Sequence, residues 1–167
     1  MWLLDEINVA EEHCATATTR LVMAQLHARE VCGPANGKTL VAAGVAGNQH
    51  DLGIQVVADL FEADGWRVIQ LGSNVPADDL AQAVEFYDAD LVALSVSLAT
   101  QLTALEETIA VVRTNGRDAA VKILVGGCGM MGIANVAKSY GADDYASDAP
   151  EAVARGNALV GLPVKTQ

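Results

Sequence analysis

The chain has 167 residues, of which 51% are apolar, 19% are charged and 4% are aromatic. This composition excludes an intrinsically disordered chain and is typical of one compact domain with a short appendage. The formal net charge of −11 at pH 7 repels phosphate backbones and anionic headgroups, so we expect no direct nucleic-acid ligand and no membrane partner.

The first predicted element is a helix from Val9 to Glu30, since this stretch consists mostly of helix formers. Seven side chains fall near one helical stripe: Val9, His13, Ala17, Leu21, Met23, Ala24 and Leu26. A lone helix cannot bury such a stripe, and the apolar residues 2–4 resemble the end of an earlier helix. We therefore expect residues 1–32 to be the C-terminal part of a helical-bundle cap, with an N-terminal segment of the bundle missing.

A turn-rich linker over residues 33–38 separates this helix from the main domain, residues 39–167. Short apolar runs then alternate with helical patterns. The predicted pairs are Thr39–Val45 with Asp51–Asp64, Trp66–Leu71 with Ala77–Phe86, Leu91–Ser97 with Leu102–Thr114, Val121–Val125 with Gly132–Tyr140, and Asp143–Ala146 with Pro150–Val160. Five successive βα units predict an α/β, flavodoxin-like or Rossmann-like fold with a five-stranded parallel sheet and helices on both faces.

Three loops at the carboxyl ends of predicted strands carry the candidate binding residues, because parallel sheets bind ligands at this edge. The residues are Asn48, His50, Asp51, Leu52 and Gly53 after the first strand, Ser95, Ser97 and Leu98 after the third, and Gly126 and Gly127 after the fourth. The first loop lacks GxGxxG and the chain lacks GxxxxGK[ST], which argues against dinucleotide and phosphate-loop sites.

His50 is the candidate metal ligand of these loops. A neutral imidazole can bind a metal ion, and the amide oxygen of Asn48 could accept from the other ring nitrogen and fix the tautomer. Gly53 opens the next helix, where the backbone could approach a bulky ligand closely. Taken alone, a loop histidine beside an aspartate is more typical of a solvated residue, so the other two loops decide the interpretation.

The three loops together resemble the cobalamin-binding domain family, whose signature is DxHxxG, then SxL, then GG. Here they read Asn48-x-His50-x-x-Gly53, Ser95-Val96-Ser97 and Gly126-Gly127, with 41 and 28 residues between successive motifs. The resemblance covers Lys38 to about Leu162 and implies cobalamin as the cofactor. It also implies that His50 is the lower axial cobalt ligand, that Ser95 or Ser97 binds the displaced nucleotide tail, and that Gly126 and Gly127 leave room for that tail.

Two positions depart from the family pattern. Asn48 stands where the family usually has an aspartate, so His50 would have a neutral partner. Methyl-transfer members of the family use that aspartate, and its replacement puts their chemistry in doubt. Ser97 stands where the motif has leucine, although Leu98 follows directly and could supply the apolar contact.

The N-terminal helix carries a second resemblance. Nine residues separate Trp2 from Glu12 and His13, and this Wx9EH arrangement is similar to the helical cap of light-sensing adenosylcobalamin photoreceptors. The resemblance implies that Trp2 packs against the adenosyl group, that Glu12 hydrogen-bonds it, and that His13 ligates cobalt from above after photolysis. Ordinary packing in a helical bundle is the alternative. Some sensors of this type also bind a bilin such as biliverdin, which makes a bilin a second candidate cofactor.

The sequence thus predicts a cobalamin-binding signalling module rather than an enzyme. Photolysis of adenosylcobalamin would switch the cap conformation or oligomerisation, with output through an unknown domain, a partner protein or a homo-oligomer. One alternative is a corrinoid methyl carrier of a methyltransferase system, and another is a scaffold without cobalamin. Cys14, Cys32 and Cys128 show no disulfide or zinc spacing, which favours a cytoplasmic location.

Overall fold

The structure is a computed structural model that describes residues 8–27, 32–115, 121–133 and 135–164. The chain divides into two compact units, residues 1–31 and residues 32–167. In the first unit, helix α1 spans Val9–His27, and none of its residues is buried. Asn8 caps this helix, because its Oδ1 accepts the N–H of Glu11 at 3.0 Å while the Glu11 carboxylate accepts the N–H of Asn8 at 2.8 Å. The predicted residues 28–30 of the helix lie outside the described residues.

The second unit alternates strands and helices. The strands are β1 (Thr39–Val45), β2 (Arg67–Val75), β3 (Leu91–Ser95), β4 (Lys122–Gly126) and β5 (Asp144–Ala146). The helices are α2 (Leu52–Ala63), α3 (Ala77–Phe86), α4 (Leu102–Asn115), α5 (Val136–Tyr140) and α6 (Ala149–Leu159). All four strand pairs are parallel, and the strand order is β2-β1-β3-β4-β5. The predicted five-stranded, flavodoxin-like α/β fold is confirmed.

The apolar core lies on both faces of the sheet. Every residue of β1 is buried, because helices cover the strand from both sides. Val41, Ala43 and Val45 pack into a cluster with residues of α3 and α4. Leu40 and Ala42 point the other way and pack with residues of α2 and α6. This alternation is what a continuous apolar run produces when it lies in a central strand.

Two element boundaries lie four residues from the predicted ones. Strand β2 continues beyond Leu71 to Val75, because it keeps pairing with β1 through register shifts near Gly72, whose φ is +81°. Helix α5 begins at Val136 rather than at Gly132. Gly132 has a φ of +79° and belongs to a turn that precedes the helix, a conformation that α-helix excludes.

The strand order places the topological switch point between β1 and β3. The chain leaves β1 toward β2 on one side and returns across the sheet to β3 on the other, so the two loops that follow these strands diverge. Sheets of this type bind ligands in the crevice at the carboxyl ends of such strands. Among the described helices, none has the length and apolar character needed to cross a bilayer.

Candidate functional site

The loop between β1 and α2 is shaped by Asn48. This residue is 0% exposed, and its side chain binds backbone groups: Nδ2 donates to the carbonyl oxygen of Ser95 at 2.9 Å, and Oδ1 accepts the N–H of His50 at 3.1 Å. The amide oxygen of Asn48 thus accepts a hydrogen bond from the backbone N–H of His50, and no described hydrogen bond joins it to the imidazole ring. The predicted bond from Asn48 to the imidazole is therefore corrected, because burial turns the amide toward the backbone of both loops.

His50 lies in the loop between β1 and α2, at the carboxyl edge of the sheet, and it is exposed. A ring nitrogen can therefore reach a ligand that approaches from outside the fold. Asp51 precedes α2, where its carbonyl oxygen accepts the N–H of Gln55 at 2.9 Å, and Leu52 is the first helical residue. Within the described residues, no group of three or more His, Cys, Asp or Glu side chains could hold a metal ion.

The segment after β3 leaves the sheet earlier than predicted. Strand β3 ends at Ser95, and the N–H of Ser97 donates to Oε1 of Gln101 at 3.0 Å. The N–H of Leu98 donates to the same oxygen at 3.1 Å. Val96 still donates its N–H to the carbonyl oxygen of Gly126 at 3.0 Å, but Ser97 binds a side chain instead of a strand, so the predicted strand residues 96–97 are wrong. Leu98 is 53% exposed, which leaves its side chain open to a ligand.

The double glycine after β4 is required by close backbone contacts. A Cβ on Gly126 would lie 2.9 Å from the carbonyl oxygen of Ala146, and a Cβ on Gly127 would lie 2.3 Å from that of Val96. Gly127 also has a φ of +109°, which other residues rarely adopt. The family resemblance implies that these glycines leave room for a ligand. The structure adds a nearer reason, since the neighbouring backbone already excludes a side chain.

A cavity of about 310 Å³ lies at the carboxyl ends of β3, β4 and β5, against α2. Its largely apolar lining includes Gly53, Ile54, Val57, Ser95, Gly126, Gly127, Ala146 and Asp148. Ser95 is part of this lining, whereas Ser97 is not. A Cβ on Gly53 would meet no atom within 4 Å, so the missing side chain keeps this part of the cavity open. All three motif loops thus border one cavity or its rim.

A larger and more polar trough, of about 810 Å³, lies at the opposite edge of the sheet. Lys38, Arg67 and Asp90 line it, and Nζ of Lys38 lies 2.7 Å from Oδ1 of Asp90. It includes none of the predicted site residues. Since parallel sheets bind ligands at the carboxyl ends of their strands, the smaller cavity is the candidate site.

The rim of the candidate cavity beyond β5 is held by a charged network. The carboxylate of Glu151 accepts from the backbone N–H of Ser147 at 2.7 Å and from its hydroxyl at 2.6 Å. Arg155 donates to Glu151 through Nε at 2.8 Å and to Asp144 through Nη1 at 2.8 Å. The hydrogen bonds from Ser147, supported by Arg155, lower the pKa of Glu151 to about 2. The same carboxylates raise the pKa of Arg155, so both partners stay charged.

The two described residues of the Wx9EH pattern contact each other on α1. Nδ1 of His13 lies 2.7 Å from Oε2 of Glu12, and the hydroxyl of Thr16 donates to Oε1 of Glu12 at 2.7 Å. The side chain of His13 is 75% exposed and that of Glu12 is 43% exposed. Trp2 lies outside the described residues. The three cysteines are free thiols with exposed side chains.

Comparison with known proteins decides which family these loops represent. The B12 binding domain family matches residues 38–154, which include all three motifs and the strands that carry them. This chain belongs to the B12 binding domain family. The resemblance in the loop motifs is thereby confirmed, and cobalamin is the cofactor that the family assignment supports.

Relatives of this B12 binding domain are corrinoid proteins. The dimethylamine corrinoid protein 3 of Methanosarcina acetivorans is 31% identical over 121 residues, which are 72% of this chain and 56% of that protein. A cobalamin-binding protein from Desulfitobacterium hafniense has a TM-score of 0.69 at 29% identity over 75% of this chain and 60% of its own. The Methanosarcina barkeri monomethylamine corrinoid protein shares the fold, with a TM-score of 0.65 at 19% identity over 74% of this chain and 57% of its own. The chain thus spans a little over half the length of its curated relatives.

The residues at this edge of the B12 binding domain fit a cobalamin. His50 offers an exposed imidazole, a nitrogen donor that suits first-row transition metals such as cobalt. The apolar cavity, whose lining includes Gly53 but not His50, is open where Gly53 lacks a side chain, and a volume of about 310 Å³ suits a small heteroaromatic group. The hydroxyl-bearing Ser95 lines the same cavity and could bind a polar atom of such a group.

Two residues of the site, Gln101 and Gly129, were not predicted from the sequence. Gln101 is 6% exposed and binds both loops at the switch point. Gly129 is needed because a Cβ there would lie 2.7 Å from the backbone carbon of Leu98. A glutamine at the start of a helix resembles any surface residue in sequence. The available signal was its position, six residues after the end of β3 at the ligand-binding edge.

Proposed function

We propose that this chain binds cobalamin through His50 and acts as a corrinoid protein that carries a methyl group between partner enzymes. The observation that carries the proposal is that the three family motifs border one apolar cavity, taken with relatives that are named corrinoid proteins. Bound cobalamin supplies a cobalt centre that can accept and donate a methyl group. The chain itself would be a carrier and not the methyltransferase.

Each motif residue has a distinct task in this proposal. The imidazole of His50 would hold the cobalt, and only its neutral form can bind the metal. The cavity would hold the nucleotide tail of the cofactor, and the hydroxyl of Ser95 would be its polar partner. Asn48 fixes the backbone of His50 through the 3.1 Å bond to its N–H. Because Asn48 already binds the two loops together, it positions the ligand without touching its ring.

The test is to load the purified chain with cobalamin and to identify the lower ligand. The chain is labelled with ¹⁵N-histidine, the bound cofactor is reduced to the Co(II) form, and its EPR spectrum is recorded. A protein imidazole as ligand gives the splitting of ¹⁵N, whereas the tail gives that of ¹⁴N. We expect the ¹⁵N pattern in the wild type and its loss in His50→Ala. The exposed neighbour Gln49→Ala is the matched control. A ¹⁴N pattern in the wild type would refute the proposed ligand.

Light sensing is the second candidate, and residues of α1 favour it. Glu12 and His13 form a 2.7 Å contact and share the Wx9EH pattern with Trp2. The amide at position 48, in place of the usual aspartate, also separates this chain from methyl carriers. In this function adenosylcobalamin is the bound form, and His13 would ligate cobalt after photolysis. The relatives named above favour the carrier, so light sensing stands second.

One comparison separates the two functions. The chain is loaded in darkness with methylcobalamin or adenosylcobalamin, and affinity, methyl transfer to a thiol and the spectrum after illumination are recorded. A carrier prefers the methyl form and transfers its methyl group. A sensor prefers the adenosyl form, and illumination produces a new spectrum. His13→Ala should alter this spectrum after illumination, whereas His50→Ala should still allow photolysis. Bilin absorption bands in the protein as isolated would show that it also binds a bilin.

A further inference from the structure

Gln101 is a buried amide that binds both loops of the switch point. Its side chain is 6% exposed, and Oε1 accepts the N–H groups of Ser97 at 3.0 Å and Leu98 at 3.1 Å. Its Nε2 donates to the carbonyl oxygen of Gly47 at 3.1 Å. Gly47 lies on the His50 loop, three residues before the histidine. One side chain therefore connects the loop after β1 with the segment after β3.

This amide is held by a rigid element. Gln101 closes a short 3₁₀ turn, Ala99–Gln101, that leads directly into α4. Helix α4 is anchored in the core by Leu105 and Ile109, which are 0% and 3% exposed. A group that fixes a functional loop is effective when it stands on such an element. Gln101 thus fixes the loops relative to the packed helix.

We propose that Gln101 is a positioning residue for the lower-ligand loop of the cobalamin site. The inference rests on the proposed function, in which His50 is the ligand. Asn48 connects the same loops from the β1 side, and Gln101 connects them from the α4 side. The amide meets two different needs at once, because the N–H groups of Ser97 and Leu98 require an acceptor and the carbonyl of Gly47 requires a donor.

Two substitutions divide the role of the amide. Gln101→Leu removes the acceptor and the donor. Gln101→Glu keeps an acceptor for the N–H groups of Ser97 and Leu98, but it places a carboxylate against the carbonyl oxygen of Gly47. The control is Thr108→Val on the same helix, since Thr108 is 1% exposed and its hydroxyl donates only to Ala104 within α4, at 2.7 Å. Circular dichroism checks that every variant is folded.

The first readout is amide hydrogen exchange in the chain without cobalamin. In Gln101→Leu we expect the N–H groups of Ser97, Leu98 and His50 to exchange about tenfold faster, the effect of losing roughly one hydrogen bond. In Gln101→Glu we expect faster exchange at His50 alone. The N–H of His50 is the decisive probe, because it donates to Asn48 and not to Gln101. Unchanged exchange at His50 in both variants would overturn the inference.

The second readout is cobalamin binding. We expect both Gln101 variants to raise the dissociation constant about 10–100-fold, as the loss of a group that orients a metal ligand does, and to reduce the ¹⁵N-histidine EPR pattern. Thr108→Val should change neither quantity. Wild-type affinity and EPR pattern in both folded Gln101 variants would refute the positioning role while leaving His50 as the ligand. If the wild type binds no cobalamin, the proposed function fails, and hydrogen exchange still decides whether Gln101 holds the loop.

Discussion

Nδ2 of Asn48 donates to the carbonyl oxygen of Ser95 at 2.9 Å, and this bond joins the loop after β1 to the end of β3. The relationship depends on an amide. An ionised carboxylate at position 48 would have no hydrogen to donate and would face the carbonyl oxygen with negative charge. The usual residue of the family at this position is therefore not interchangeable with the one found here, since the local hydrogen bonds differ.

Substitution of Asn48 tests this dependence. Asn48→Ala removes the hydrogen bonds of this buried amide to the carbonyl of Ser95 and the N–H of His50, so we expect the free energy of unfolding to fall by about 1–3 kcal/mol. Asn48→Asp should cost a similar amount at pH 7 and less in acid, where protonation restores a donor. Urea denaturation at pH 7 and pH 4 measures both effects, with the exposed Gln49→Ala as control. An Asp variant as stable as the wild type at pH 7 would show that the donor is not needed.

Gly53→Ala separates ligand binding from folding. Gly53 lies in the first turn of α2, where alanine is the better helix former, so we expect the free energy of unfolding to rise by up to about 0.5–1 kcal/mol. The added methyl group would enter the open part of the cavity and weaken cobalamin binding. Gln55→Ala, on the same helix but outside the cavity lining, is the control for binding. Undiminished cobalamin affinity in Gly53→Ala would show that the nucleotide tail does not occupy this cavity.

The pair Gly127→Ala and Gly132→Ala compares backbone strain with steric clash. Both glycines have positive φ, so each substitution costs about 1–3 kcal/mol of conformational strain. Only at Gly127 would the new Cβ also lie 2.3 Å from the carbonyl oxygen of Val96, whereas at Gly132 it meets no atom within 4 Å. Urea denaturation should therefore show the larger loss for Gly127→Ala. Equal losses would mean that the loop after β4 moves freely away from Val96.

The sequence predicted the fold because its strands lie in continuous apolar runs separated by helical patterns. Both bounds of β1 and α3 are as predicted, since turn residues flank each element. The end of β3 was missed, because the side chain of Gln101 replaces the next strand as the partner of Ser97. The apolar and turn patterns used to place the strands do not encode a contact of this kind between a side chain and a backbone N–H.

The candidate site was predicted in position but not in detail. Motif spacing located His50 and Gly127 on one edge of the sheet, since the carboxyl ends of parallel strands meet there. The direction of the Asn48 amide depends on its complete burial, which the sequence does not give. The close approach of Val96 to Gly127 likewise depends on the packing of two strands that are distant in the chain.

Acid should weaken the rim of the cavity through Glu151. The pKa of this carboxyl group in the folded chain is about 2, below its ordinary value of 4.5, mainly because Ser147 donates two hydrogen bonds to the ionised form. A lowered pKa contributes stability that is complete above pH 4.5 and is lost as the pH falls toward 2.

We expect Glu151→Gln to reduce the free energy of unfolding by about 0.5–1 kcal/mol near pH 7, allowing for solvent screening of a partly exposed group. Its difference from the wild type should shrink steadily below pH 4.5. Urea denaturation across this range measures the difference, and the exposed Glu107→Gln of α4 is the control. A difference that stays constant from neutral pH to pH 2 would show that the ionised carboxylate does not hold Ser147.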